Sequence, residues 1–99
     1  MFDVRPYKDR IAEMCTKLGI QRFEIFGSAV TDDFNDDSDI DCLIEFSSEV
    51  GNHFDRYFEL KYELEAMLGR KVDIVVDTAI KNPYFRLAVN SSRKLVYAA

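Results

Sequence analysis

The chain has 99 residues, of which 47% are hydrophobic, and carries a formal charge of -5 at neutral pH. That length supports one core, so residues 1–99 are expected to form a single domain with no separate substrate-binding domain beside a catalytic one. The acidic balance argues against phosphate-driven binding of nucleic acid. No apolar run approaches the roughly 18 residues of a membrane span, and Met1-Phe2-Asp3-Val4-Arg5 has no signal-peptide core, so a cytoplasmic protein is expected.

Pro6 suits the first turn of a helix, and Ile11, Met14, Cys15 and Leu18 keep helical spacing before Gly19 stops the run. Gln21 to Phe26 reads as a first strand, after which Gly27 permits a tight turn into a short helix over Ser28 to Thr31. Asp32 to Ser38 is too polar to be anything but loop. Asp39 to Phe46 forms a second strand, with Asp39, Asp41, Leu43 and Glu45 on one face and Ile40, Cys42, Ile44 and Phe46 on the other. His53 to Leu68 is the longest helix, stopped by Gly69. Lys71 to Val76 is a third strand, with Asp73 on the face opposite Val72 and Ile74, and Asp77 closes it. Asn82 with Pro83 starts a last short helix whose apolar face is assigned to Tyr84, Leu87 and Ala88. Leu95 to Tyr97 forms a brief strand or packs down. Helices alternating with strands indicate a small α/β (α+β) domain with one short sheet flanked by helices. Cys15 and Cys42 lie far apart, with no CxxC or Cys/His grouping, and read as reduced core thiols.

The chemistry concentrates at the strand ends. Asp39 and Asp41 share a face with α-carbons about 6 to 7 Å apart, and Asp73 joins them if the second and third strands are neighbours. A like-charged pair at about 5 Å and an effective dielectric of about 20 costs on the order of 3 kcal/mol, so a proton or a cation must compensate. Oxygen-only ligands favour Mg²⁺, and two such ions held together stabilise the attacking and leaving oxygens of phosphoryl or nucleotidyl transfer. Gly27 and Ser28 supply the other half, because a glycine turn opening a helix offers backbone amides and the serine hydroxyl to a phosphate.

Gly27-Ser28, ten residues, Asp39-Ile40-Asp41, and then Asp73 within Gly69-Arg70-Lys71-Val72-Asp73-Ile74-Val75 resemble the polymerase-beta-type nucleotidyltransferases, more narrowly the minimal nucleotidyltransferases. Lys81-Asn82-Pro83-Tyr84-Phe85-Arg86 and Val96-Tyr97 are similar to the same subgroup. The resemblance implies a short mixed sheet flanked by helices, with Asp39 and Asp41 binding two Mg²⁺ ions. It also implies that Asp73 binds the catalytic ion and helps deprotonate an acceptor hydroxyl, while Ser28 holds the terminal phosphates of ATP. A partner is implied as well, a HEPN-type ribonuclease toxin silenced by binding in a hetero-oligomer or by transfer of AMP to a hydroxyl side chain. Many relatives carry arginines just after the glycine-serine pair, where this chain has Ala29-Val30-Thr31-Asp32-Asp33. Arg70, Lys71, Lys61 and Arg86 are the cations open to compensate.

Rival readings come from other classes. A binding module with the same fold would neutralise a toxin by contact alone, with Tyr84, Phe85 and Tyr97 among its partner surface. Asp33, Asn35, Asp37, Asp39 and Asp41 partly match a calcium-binding EF-hand loop, but Ser38 stands where the turn glycine belongs and Ile44 where the bidentate glutamate belongs. His53, with no Cys or second His near it in sequence, reads as a helix-start or surface residue.

Overall fold

The computed structural model describes all 99 residues. Helix α1 (Lys8–Leu18) follows a single 3₁₀ turn at Arg5–Tyr7 that carries Pro6, and buries Ile11, Cys15 and Leu18 at helical spacing. Strand β1 (Ile20–Phe26) runs into a four-residue 3₁₀ turn, Gly27–Val30. Strand β2 (Ile40–Phe46) begins one residue later than the sequence suggests, leaving Asp39 at its mouth. Helix α2 (His53–Leu68) ends at Gly69 in the left-handed conformation, and strand β3 (Val72–Val76) gives way at Asp77 to another 3₁₀ turn. Helix α3 (Pro83–Asn90) and strand β4 (Lys94–Ala98) complete the chain.

The sheet order is β3-β2-β1-β4, with β2 and β3 parallel and the remaining pairs antiparallel. The β2-α2-β3 crossover lets β3 lie alongside β2 in the same direction, and the connection through α3 then carries the chain across the sheet to β4 at the far edge. One face of the sheet, with Phe23, Ile25, Ile40, Cys42, Ile44, Val72 and Ile74, packs against α1 and α2 in the main core. Cys15 and Cys42 are free and buried there, and burial pushes the Cys15 thiol up to about 12. The outer edge of β3 is closed by α2. Glu65 accepts the Val72 N–H at 3.0 Å, Lys61 donates to the Val72 carbonyl at 2.6 Å, and the Tyr57 hydroxyl donates to the Ile74 carbonyl at 3.0 Å. Those bonds occupy the outward N–H and carbonyl of Val72 and the carbonyl of Ile74, which blunts the strand edge for addition of another strand.

The opposite face is crossed by α3, which covers Phe26 and Leu43, and is open over Asp73. Here the structure corrects the sequence reading. Tyr84, Leu87 and Ala88 face solvent, Tyr84 being 82% exposed, whereas Val89 is fully buried against Phe26 and Leu43 and Phe85 meets the Phe26 ring edge-on. The sequence offers Tyr84, Phe85, Leu87, Ala88 and Val89 as apolar groups within two turns, and contact with Phe26 and Leu43 selects Phe85 and Val89 among them. No helix is long and apolar enough to cross a membrane.

The start of α3 is held by Asn82, whose side-chain oxygen accepts the N–H groups of Tyr84 at 2.8 Å and Phe85 at 3.2 Å. Replacing Asn82 with Ala is expected to cost about 1 kcal/mol, the usual worth of such a cap. Urea unfolding checks this, and an unchanged midpoint would contradict the cap.

Candidate active site

On the open face the strand register places Phe26, Asp41 and Asp73 side by side across β1, β2 and β3. Adjacent strands lie about 4.8 Å apart, so Asp41 and Asp73 are direct neighbours although 32 positions separate them. Asp41 is half-buried and Asp73 exposed. Burial is the first cause that raises the pKa of Asp41, followed by the negative charges of Asp73 and Asp39. Asp73 and Asp39 therefore both act through space on Asp41.

Gly27 completes this group by contact. Its φ of +69° lies in the left-handed region, and a Cβ built on it would stand 2.5 Å from Oδ2 of Asp41. Both facts demand glycine, since any side chain would be strained and would collide with the carboxylate. The glycine turn and the aspartates, ten residues apart in the motif, are thus packed together. Ser28 follows, half-buried, in the same turn.

Two parts of the expected phosphate cradle differ. The segment after Gly27 is one 3₁₀ turn rather than an α-helix, because Thr31 already returns to extended backbone. Four residues align too few peptide dipoles to offer the positive end of a helix. The Gly27 N–H is also engaged, donating to the Ser92 hydroxyl at 3.0 Å.

The compensating cations are mostly committed elsewhere. Arg70 donates to the carbonyls of Asn35 and Ser38, Lys61 bonds the Val72 carbonyl and pairs with Glu65, and Arg86 pairs with Asp77. Lys71 is exposed, and its charge falls on Glu65. Sequence reasoning missed Arg93, which donates to the buried Glu24 at 2.8 Å and to Asn90 at 2.8 Å, bolting the turn after α3 to the middle of β1. No local signal could have revealed this pair or the Gly27 to Ser92 bond, because the partners lie 69 and 65 residues apart.

The donor chemistry fits a hard dication. The residues offer carboxylate oxygen alone, and Asp41 sits in repulsion that a positive charge would relieve. No group of three His, Cys, Asp or Glu side chains is gathered closely enough to hold an ion by itself. The acidic loop is not an EF-hand, since a 3₁₀ turn and a strand flank it instead of two helices. His53 is exposed at the start of α2, stacked on Phe46 at 4.3 Å and bonded to the Val50 carbonyl.

A four-stranded mixed sheet with three helices is the fold of a minimal nucleotidyltransferase. The nucleotidyltransferase domain family matches residues 8–96, and the chain belongs to that family. Its relatives include MJ0128 of Methanocaldococcus jannaschii, provisionally named a protein adenylyltransferase, which is 38% identical over 94 residues, 95% of this chain and 89% of that protein. The protein adenylyltransferase MntA of Thermococcus cleftensis is 33% identical over 85 residues, 86% of this chain and 81% of that protein. A solved structure provisionally described as a minimal nucleotidyltransferase superposes with a TM-score of 0.75 at 28% identity, over 92% of this chain and 90% of the other. The same fold occurs in a toxin-antitoxin complex with AMP-PNP, with a TM-score of 0.72 at 20% identity over 93% of this chain and 73% of the other. It occurs again in a complex of a tri-AMPylated HEPN toxin of Shewanella oneidensis with an MNT antitoxin, with a TM-score of 0.67 at 18% identity over 98% of this chain and 74% of the other.

The raised pKa of Asp41 makes stability depend on pH in a definite direction. Above the raised value the folded protein holds an ionised Asp41 that is less favourable than in the unfolded chain. As pH falls through that value the folded state takes up the proton first and stability is regained, fully so below the ordinary value of 3.8. Metal-free Asp41→Asn should therefore be more stable than the parent at pH 8, with the gap closing as pH approaches 4. Denaturant unfolding in EDTA at the two pH values measures this. A variant less stable than the parent at pH 8 would show that the carboxylate is not under repulsion.

Proposed function

We propose that this chain transfers AMP from ATP, with Mg²⁺, to a hydroxyl side chain of a partner protein, a HEPN-type ribonuclease toxin that it thereby silences. The observation that carries the reading is the pairing of Asp41 with Asp73 on neighbouring parallel strands, with the Gly27 backbone against Asp41. Relatives at 38% and 33% identity named for protein adenylylation support it, as does the recurrence of the fold in antitoxins solved with HEPN toxins.

In this reading Asp39 and Asp41 hold both ions and Asp73 holds one. The ions, when bound, supply neutralising charge around the reacting phosphate and its attacking and leaving oxygens. Asp73, the exposed member of the row, accepts the proton of the acceptor hydroxyl. The acceptor oxygen forms its bond to the α-phosphorus as the bond from that phosphorus to the bridging oxygen breaks, and pyrophosphate leaves. Ser28 and the amides that follow Gly27 in the turn hold the terminal phosphates. The open face of the sheet gives a macromolecular acceptor access without a lid.

A second reading keeps the partner and drops the chemistry. It is favoured by the engaged Gly27 amide and by the commitment of Arg70, Lys61 and Arg86 to other groups, which leaves little positive charge for a triphosphate. Contact alone would then neutralise the toxin. Exposed apolar groups are available for it at Tyr84 and Leu87, with Phe85 partly free, whereas Tyr97 is half-buried with its hydroxyl 3.4 Å from that of Thr16.

Incubation with ATP labelled at the α-phosphate, Mg²⁺ and a HEPN-type toxin that binds this chain separates the readings. Transfer predicts a labelled partner, no labelling with EDTA, and at least about a hundredfold loss in Asp41→Asn and Asp73→Asn, on the scale of losing one catalytic group. A tight complex with no metal-dependent label would leave the binding module as the function.

A further inference from the structure

Arg70 lies between Gly69, which ends α2, and the start of β3, three residues before Asp73. Its Nη1 donates to the Ser38 carbonyl at 2.9 Å and to the Asn35 carbonyl at 3.1 Å. Its guanidinium carbon lies 4.6 Å from the centre of the Phe34 ring. Phe34 in turn meets Phe2 edge-on at 5.6 Å, and Phe2 stacks on Tyr7 at 5.9 Å. The loop that enters β2 is therefore pinned by one side chain against an aromatic stack.

The consequence falls on Asp39. Ser38 immediately precedes it and is held through its carbonyl by Arg70, while Ile40 immediately follows it and donates its N–H to the Lys71 carbonyl at 3.0 Å. Both peptide groups that flank Asp39 are thus bonded to Arg70-Lys71, the segment that leads to Asp73. Within the loop Ser38 also closes a turn, its hydroxyl accepting the Asn35 N–H at 3.0 Å and its N–H donating to the Asn35 carbonyl at 3.0 Å. Asp39 itself lies outside the sheet ladder, so these flanking bonds are what hold its backbone in place.

We infer that Arg70 is a positioning residue that sets Asp39 against Asp41 and Asp73, and that it does not contact the nucleotide. The inference rests on the metal-site reading of Asp39 given above. A lysine does not reproduce it, because a compact, strongly hydrated ammonium on a flexible stem does not set a guanidinium over the Phe34 ring while bonding both carbonyls.

The test uses Arg70→Ala and Arg70→Lys in the full chain, with two readouts. Amide hydrogen exchange over residues 35–39 reports the loop without any metal, and calorimetry reports binding of Mg²⁺ with a non-hydrolysable ATP analogue. Both variants should exchange faster in that loop and bind about tenfold more weakly, the usual scale for losing a group that orients a ligand. Combining Arg70→Ala with Asp39→Asn should weaken binding little beyond Asp39→Asn alone, since both remove the same contribution. Arg70→Lys behaving as the parent, unchanged affinity in Arg70→Ala despite a lower melting temperature, or additive losses in the double variant would each overturn the inference. Absence of Mg²⁺-dependent nucleotide binding by the parent would instead remove the metal-site reading, and the inference with it.

Discussion

Parallel pairing of β2 with β3 sets Asp41 beside Asp73, and the rest of this molecule is arranged around the repulsion that results. At about 5 Å and an effective dielectric of about 20 such a pair costs on the order of 3 kcal/mol, reduced here by solvent because Asp73 is exposed. Even a fraction of that is notable against a domain stability of roughly 5 to 15 kcal/mol. Strands usually avoid such neighbours. A register shift of one residue would turn Asp73 inward, yet it would also expose Val72 and Ile74, which the main core buries. Hydrophobic packing on one face therefore maintains electrostatic strain on the other.

What surrounds the pair is tied down by hydrogen bonds and close packing. Gly27 approaches Asp41 so closely that no side chain fits between them, and the turn it begins is fastened to the segment after α3 by Ser92, with Arg93 reaching the buried Glu24 nearby. Asp39 is fastened on the other side by Arg70 and Lys71. Each chemically relevant residue thus hangs on a fixed strand end or on a turn with bonds at both ends. The molecule is organised to hold a geometry that the carboxylates, left alone, would disfavour. A dication delivered with a nucleotide would convert that stored repulsion into binding.

Much of this was legible in the sequence because it is local. The alternation along Ile40 to Phe46 assigned Asp41 to the face opposite Cys42 and Ile44, and Gly69 marked the end of α2. The Asn82-Pro83 pair marked the start of α3 for the same reason, since an N-cap acts within one turn. What escaped was tertiary. No pattern within β2 or β3 says that they are neighbours in parallel register. The face of α3 was misassigned because burial of Val89 depends on Phe26 and Leu43, far away in the chain. Gly27 looked free because its partner, Ser92, lies near the other end. Arg70 stood open among four cations because its real partners are backbone carbonyls, which carry no sequence signal.

The central claim, that Asp41 is raised by burial and by Asp73 and that a metal-nucleotide relieves it, is open to direct measurement. Carbon-13 NMR of the Asp41 carboxyl, followed through a pH titration, should show a midpoint above the ordinary aspartate range in the free protein. The midpoint should fall in Asp73→Asn and fall further when Mg²⁺ and an ATP analogue are added to the parent. An Asp41 midpoint that neither the substitution nor the metal-nucleotide moves would contradict the account.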